Sequence, residues 1–272
     1  MPAARADGAS TSAASLSLVA ETPDLWAACR EHVQLLPLAG EAVRVVESQE
    51  QVATSALVRD LAEQALLEDM LERVKPPRRA GTQRLHYLLA TPFRYPPRKH
   101  GSRFASRFEP GLYYAARGIA PALAETAYYR LYFFHGMAEP PPSGRLLTQH
   151  TVFAARIRTR HGMRLQAPPF AAHEHALRDP VHYAATQRLG AALREYGVEA
   201  FEYLSARDAQ RGINVALFAP RALANPRPLW QQAWLCQTRA EEIAFSRAGD
   251  GEVHRFPIAQ FLVDGRLPQP AG

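Results

Sequence analysis

The chain has 272 residues, 47% hydrophobic and 21% charged, which suits a soluble globular protein with room for one large domain, or a modest domain with an added segment. No stretch approaches the ~18 uninterrupted apolar residues of a membrane span, and the N-terminal residues lack the apolar core of a secretory signal. The net charge of +6 is local: Arg73–Phe108 holds ten Lys or Arg and no Asp or Glu, and the remainder carries 22 basic against 26 acidic residues.

That cation cluster suits an anionic ligand, either a polymer or a small phosphate compound, with a solvated basic surface as the plain alternative. Its cations are almost all Arg, which grips phosphate oxygens in a fork; Lys75 and Lys99 are the exceptions. Two cysteines, Cys29 and Cys236, form no CxxC or metal pattern, so a reducing cytoplasm is the simplest setting.

Residues 1–17 are small and polar and read as a disordered tail. A helical N-terminal extension is expected over 18–80, with helices from Pro23 to Leu71. The clearest is Ser55–Leu71, with Ser55 as N-cap and Leu57, Leu61, Leu66 and Leu67 among its apolar positions. The run Lys75-Pro76-Pro77-Arg78-Arg79 ends that segment.

The main domain is expected over 81–265. Leu85–Ala90 reads as a strand, and Pro92, Pro96 and Pro97 as loop punctuation. Leu112–Ala115 reads as a short strand, Pro121–Phe134 as a helix with Pro near its first turn, Val152–Ile157 as a strand and Tyr183–Tyr196 as a helix before Gly197. Further strands are expected at Phe201–Leu204, Val215–Phe218, Ala233–Gln237, Glu242–Phe245 and Val253–Pro257. Short strands with interspersed helices predict an α+β domain rather than a βαβ array.

Arg103, Tyr114 and Glu125 recur at equal spacing: Arg103 after a Pro-rich loop, Tyr114 in the short strand, Glu125 early in the helix. Each has a plain alternative: a surface salt bridge for Arg103, core packing for Tyr114, and the helix dipole for Glu125. His173-Glu174-His175 is not HExxH, so a helix would not put both imidazoles on one face, and no third ligand has convincing spacing. No metal site is therefore assigned. No GxGxxG, GxxxxGK[ST] or GxSxG motif is present, against a Rossmann dehydrogenase, a P-loop enzyme or an α/β-hydrolase. The aromatic run Tyr128, Tyr129, Tyr132, Phe133 and Phe134 reads as core and interface.

Together Gly101, Arg103, Phe104, Gly111, Tyr114 and Ala122-Leu123-Ala124-Glu125, followed by Tyr203-Leu204-Ser205-Ala206-Arg207 and Gly212-Ile213-Asn214, resemble the RES family. The likeness runs from about Arg84 to Ala219. Departures are Leu204 where a Pro is usual, and Phe104-Ala105 where Trp-Asn is usual.

The resemblance implies an ADP-ribosyltransferase-like fold and a toxin enzyme that breaks the nicotinamide–ribose bond of NAD⁺. It implies phosphate or water as acceptor, with a protein acceptor as the alternative. It further implies that Arg103 holds the pyrophosphate, Tyr114 (or its neighbour Tyr113) stacks on nicotinamide, and Glu125 stabilises cationic ribose. Ser205 would bond the ribose or amide, Asn214 would order the Ser205 loop, and Arg94 would bind pyrophosphate or incoming phosphate. No cofactor is expected beyond NAD⁺ as substrate, with inorganic phosphate as co-substrate. The implied partner is a DNA-binding, Xre-type antitoxin in an oligomeric complex, with DNA contacted only through it. A competing class is a nucleic-acid-binding protein using the basic segment 73–107, which predicts salt-dependent binding.

Overall fold

The computed structural model describes residues 22–48, 58–97, 99–249 and 251–269. The tail over 1–17 and the expected cap Ser55 with Leu57 lie outside them. Helices and an eight-stranded mixed sheet make an α/β architecture. Among the described residues no helix is long and apolar enough to cross a membrane.

Among the described residues, the segment expected to be helical forms α-helix at its flanks, in α1 (Leu25–Cys29) and α2 (Leu61–Val74). Between them Leu36–Glu47 forms β1, a correction to the sequence reading. Val43, Val45 and Val46 suit a pleated surface. The deciding factor is long-range: β1 pairs antiparallel with β3 (Leu146–Arg164) from Leu36↔Gly162 to Glu47↔His150. Helix α2 starts at Asp60, whose carboxylate accepts from Ala62 and Glu63 N–H groups, and it buries no side chain.

A second correction concerns Leu85–Ala90. The chain there forms α3 (Tyr87–Arg94), which includes Pro92. The His86 ring accepts from Leu88 N–H, and Leu88, Leu89 and Phe93 are buried, so packing outweighs the proline.

The other expected elements lie close to their expected positions: β2 (Tyr113–Ala116), α4 (Ile119–His135), α6 (Ala184–Glu195), β4 (Ala200–Leu204), β5 (Ile213–Leu217), β6 (Trp230–Thr238), β7 (Glu242–Arg247) and β8 (Val253–Pro257). Strand β3 runs well beyond the expected Val152–Ile157, and α5 (Glu174–Arg178) forms where the sequence reading placed no helix.

Strand β1 pairs with both β2 and β3, so β1-β2-β5-β4-β3 closes on itself, and β6-β7-β8 continue from β3. Leu38, Ala42, Tyr113, Phe153, Val215 and Leu217 form one buried cluster, which α3 joins through Leu88, Leu89 and Phe93. The ring is weakest between β1 and β2, which pair only at Val43↔Ala116. The opposite side chains of β2 and β5 meet α4 and α6, where Ala116 joins Leu123 and Ala127 in a second cluster and Ala216 joins Leu189 in a third. The candidate site residues Tyr114, Glu125 and Asn214 lie on that outer face, beside the β1–β2 split.

Candidate active site

A cavity of about 280 Å³ opens at the split, between Val43–Val45 of β1, Tyr114–Ala116 of β2 and Glu125 of α4. This is at the low end of the ~300–1,000 Å³ of ligand pockets, enough for part of a large ligand. Tyr114, Tyr129, Tyr183 and Tyr203 line it, with Arg44 and Arg103 as its cations.

Glu125 is held from one side. Its Oε1 accepts from Ser205 Oγ at 2.6 Å and from Asn214 Nδ2 at 2.7 Å. Both bonds converge on one oxygen, so Oε2 has no protein donor among the described residues. Helix α4 delivers this carboxylate because Ala122, Leu123, Ala124 and Ala127 bury its flanking positions. Charge-assisted bonds of this kind contribute about 1.5–3 kcal/mol each.

Ser205 follows β4 and is fully buried. Its hydroxyl donates to Glu125 and accepts from Arg207 N–H at 3.1 Å and Asp208 N–H at 3.0 Å. One donor and two lone pairs are then all occupied. Ser205 sits behind Glu125, and its hydroxyl ties that carboxylate to the turn after β4. Asn214 also binds Glu125 directly instead of ordering the Ser205 loop. Asp208 accepts from Gln210 and Gly212 N–H groups and closes that loop.

Arg103 sits in a tight turn where Ser102 and Ala105 bond each other across the bend. Gly101 has φ +80°, and a Cβ there would lie 2.6 Å from Ala105 O. Phe104 anchors the turn in the core, edge-on to Phe201 and Tyr203 at 4.8 Å. Arg103 Nη1 donates to Asp179 O at 2.8 Å and Leu177 O at 3.3 Å, and Nη2 to Tyr183 Oη at 3.3 Å. Its guanidinium also lies 4.4 Å from the Tyr183 ring centre. Burial disfavours the Arg103 charge, but Tyr183 and Glu125 outweigh that and raise its pKa.

Adjacent tyrosines face opposite ways, as strand alternation requires. Tyr114 lines the cavity, and its Oη accepts from Phe104 N–H at 3.1 Å and pairs with Ser102 Oγ at 2.8 Å. Burial pushes its phenol up to about 12, against the pull of those hydrogen bonds. Tyr113 is fully buried on the other face, stacked with Phe93 at 5.9 Å, and takes no part in the cavity. Arg94 is likewise away from it: Nη1 pairs with Glu72 at 2.7 Å and Nε donates to Pro76 O at 2.5 Å. The α3 helix carries Arg94 toward α2, which sequence order alone does not reveal.

Sequence reasoning missed four wall residues and one support. Tyr129 follows Glu125 by one helical turn, so the i, i+4 spacing could have found it. Tyr203 and Arg207 lie in the quoted motif around Ser205. Arg207 is 3% exposed, sits 3.5 Å over the Tyr128 ring and donates to Tyr183 Oη and Pro180 O. Tyr183 and Arg44 carried no sequence signal.

Among the described residues, the cations of the basic run are directed to separate partners. Arg73 pairs with Asp69, Lys75 and Arg94 with Glu72, Arg103 turns into the cavity, and Arg107 lies over Phe108. Glu174, in His173-Glu174-His175, pairs with Arg178 and Arg211.

No curated relative matches the chain. The RES domain model matches residues 76–239, which include Arg103, Tyr114, Glu125, Ser205 and Asn214. Since that span is more than half of the chain, the protein belongs to the RES domain family.

Proposed function

We propose that this protein is an NAD⁺-cleaving enzyme that breaks the bond between nicotinamide and ribose. The observation that carries the reading is Glu125, held through Oε1 by Ser205 and Asn214 while Oε2 stays free of protein donors in a tyrosine-lined cavity. Family membership supports an NAD-acting enzyme in general.

As the glycosidic bond breaks, electron density leaves with nicotinamide and positive charge develops on the ribose. A carboxylate fixed beforehand stabilises that charge without reorganising at the moment of reaction. Tyr114 is the face for the nicotinamide ring, and Arg103 anchors the segment from the end of α5 to Tyr183 around it. Phosphate as acceptor forms a C–O bond at the anomeric carbon and gives ADP-ribose-1″-phosphate; water gives ADP-ribose. Transfer to a protein side chain uses the same site.

As a RES toxin, the protein would deplete the NAD⁺ of its cytoplasm and be neutralised by an Xre-type antitoxin. We assign that contact to α2, which exposes Leu61, Leu66, Met70 and Val74.

The test is nicotinamide release from NAD⁺ by the purified chain, with and without inorganic phosphate, beside Glu125→Gln. Release that needs Glu125 supports the reading, and phosphate dependence names a phosphorylase. Absence of release from folded wild-type protein, with no label transferred from NAD⁺ to a macromolecule, overturns it.

A further inference from the structure

Arg44 lines the same cavity from β1, outside the span matched by the family. Its Nη1 donates to the Tyr114 carbonyl, which β1 leaves unpaired as it diverges from β2. Its guanidinium lies 5.3 Å from the Tyr113 ring centre. Its Nε is buried and meets no acceptor, and no described carboxylate forms an ion pair with it. Three other cations nearby are neutralised locally: Arg117 by Glu202, Arg130 by Glu47, Arg94 by Glu72. Arg103 has carbonyl and phenol partners for both Nη groups.

An uncompensated cation beside a cavity is costly without an anion to meet it. Burial lowers the Arg44 pKa, with the nearby Tyr113 phenol opposing that shift. Glu125, the carboxylate of the same wall, turns Oε1 to Ser205 and Asn214 and forms no ion pair with Arg44.

We propose that Arg44 is the phosphoryl-binding cation of this cavity, placed there by the N-terminal strand to receive an anionic phosphate oxygen of the ligand. The assignment rests on the NAD⁺ reading for the ligand's identity, but the phosphoryl chemistry is separable from it. Two sources share that chemistry: the diphosphate of the dinucleotide and a free inorganic phosphate acceptor. A fork suits either. The RES core alone thus lacks one of the site's contacts, and β1 completes it.

The experiment is calorimetric titration of full-length wild type, Arg44→Gln and Arg44→Lys with ADP-ribose, with inorganic phosphate and with nicotinamide. Tenfold or greater loss of ADP-ribose affinity in Arg44→Gln, with nicotinamide binding kept, supports the diphosphate source. The same loss confined to inorganic phosphate supports the acceptor source. Affinities for both phosphates equal to wild type in Arg44→Gln, or wild type that binds neither, overturn the proposal.

Should Arg44→Gln fail to fold, ¹⁵N-arginine-labelled wild type gives the same answer through the Arg44 Nε–H resonance, assigned by its absence in Arg44→Lys. A shift of that resonance with ADP-ribose or phosphate but not with nicotinamide supports the assignment, and no shift overturns it. Phosphate or ADP-ribose binding through Arg44 without nicotinamide release would retain this inference while removing the NAD⁺-cleavage reading.

Discussion

Ser205 Oγ donates to Glu125 Oε1 at 2.6 Å, joining a turn after β4 to a helix 80 residues earlier. Because the same hydroxyl accepts from Arg207 and Asp208 N–H groups, the serine is a junction between the carboxylate and the turn. Ser205→Ala removes one donor to Glu125 and leaves two buried N–H groups without an acceptor. The expected result is a loss of about 1–3 kcal/mol in stability and a fall in kcat with KM little changed. Ser205→Thr, which keeps the hydroxyl, should restore part of kcat. Denaturant melts beside steady-state nicotinamide release check both, and a rise in KM alone would contradict the positioning role.

Glu125→Gln keeps shape and the capacity to accept from Ser205 and Asn214 while removing the charge. Nicotinamide release should fall on the order of 10²–10³-fold, by analogy with the loss of one preorganised stabilising group. Thermal stability should stay near wild type. An unchanged rate would remove Glu125 from the chemistry.

Tyr114→Phe leaves the ring and removes the oxygen that accepts from Phe104 N–H and pairs with Ser102 Oγ. A destabilisation of about 1–3 kcal/mol follows from the unsatisfied donor. Activity should fall less than in Tyr114→Ala, which also removes the stacking face. Equal activity in the two variants would count against a stacking role.

Gly190 on α6 lies against the turn that carries Arg103: an added Cβ would sit 2.0 Å from Phe104 O. Gly190→Ala must therefore displace backbone, at a cost of about 1–3 kcal/mol, and move Arg103 with it. A melt and an activity assay should both show loss, and a variant with wild-type values in both would refute the close approach.

His150 is 2% exposed, with Nε2 paired to Thr148 Oγ1 at 3.0 Å. Burial, reinforced by the nearby Arg130 charge, lowers its pKa to about 4. The folded protein therefore resists protonating it, whereas the unfolded chain takes up that proton near pH 6.5. This contribution to stability is complete above about pH 6.5 and is lost as pH falls through about 4, up to about 3 kcal/mol. Denaturant melts at stepped pH should show the decline between those values, with a smaller slope in His150→Gln. Identical slopes would exclude His150 as its source.

Much of the main domain was legible because its elements carry strong local signals. The apolar face of Ile119–His135, the helix before Gly197 and the short strands near Phe201 and Val215 lie close to their expected positions. The two misread segments had ambiguous local patterns. Leu36–Glu47 pairs with a strand over 100 residues away, and Tyr87–Arg94 becomes helical around a proline because Leu88, Leu89 and Phe93 have a core to enter.

The sequence by itself determined the motif residues Arg103, Tyr114, Glu125, Ser205 and Asn214, since residue type and order along the chain carry that information. Only the tertiary structure decided their division of labour. Alternation on β2 put Tyr114 into the cavity and Tyr113 into the core, the turn after β4 placed Ser205 behind Glu125, and α3 drew Arg94 to Glu72. Arg44 reached the wall through β1 pairing, a contact between distant segments that no local pattern encodes.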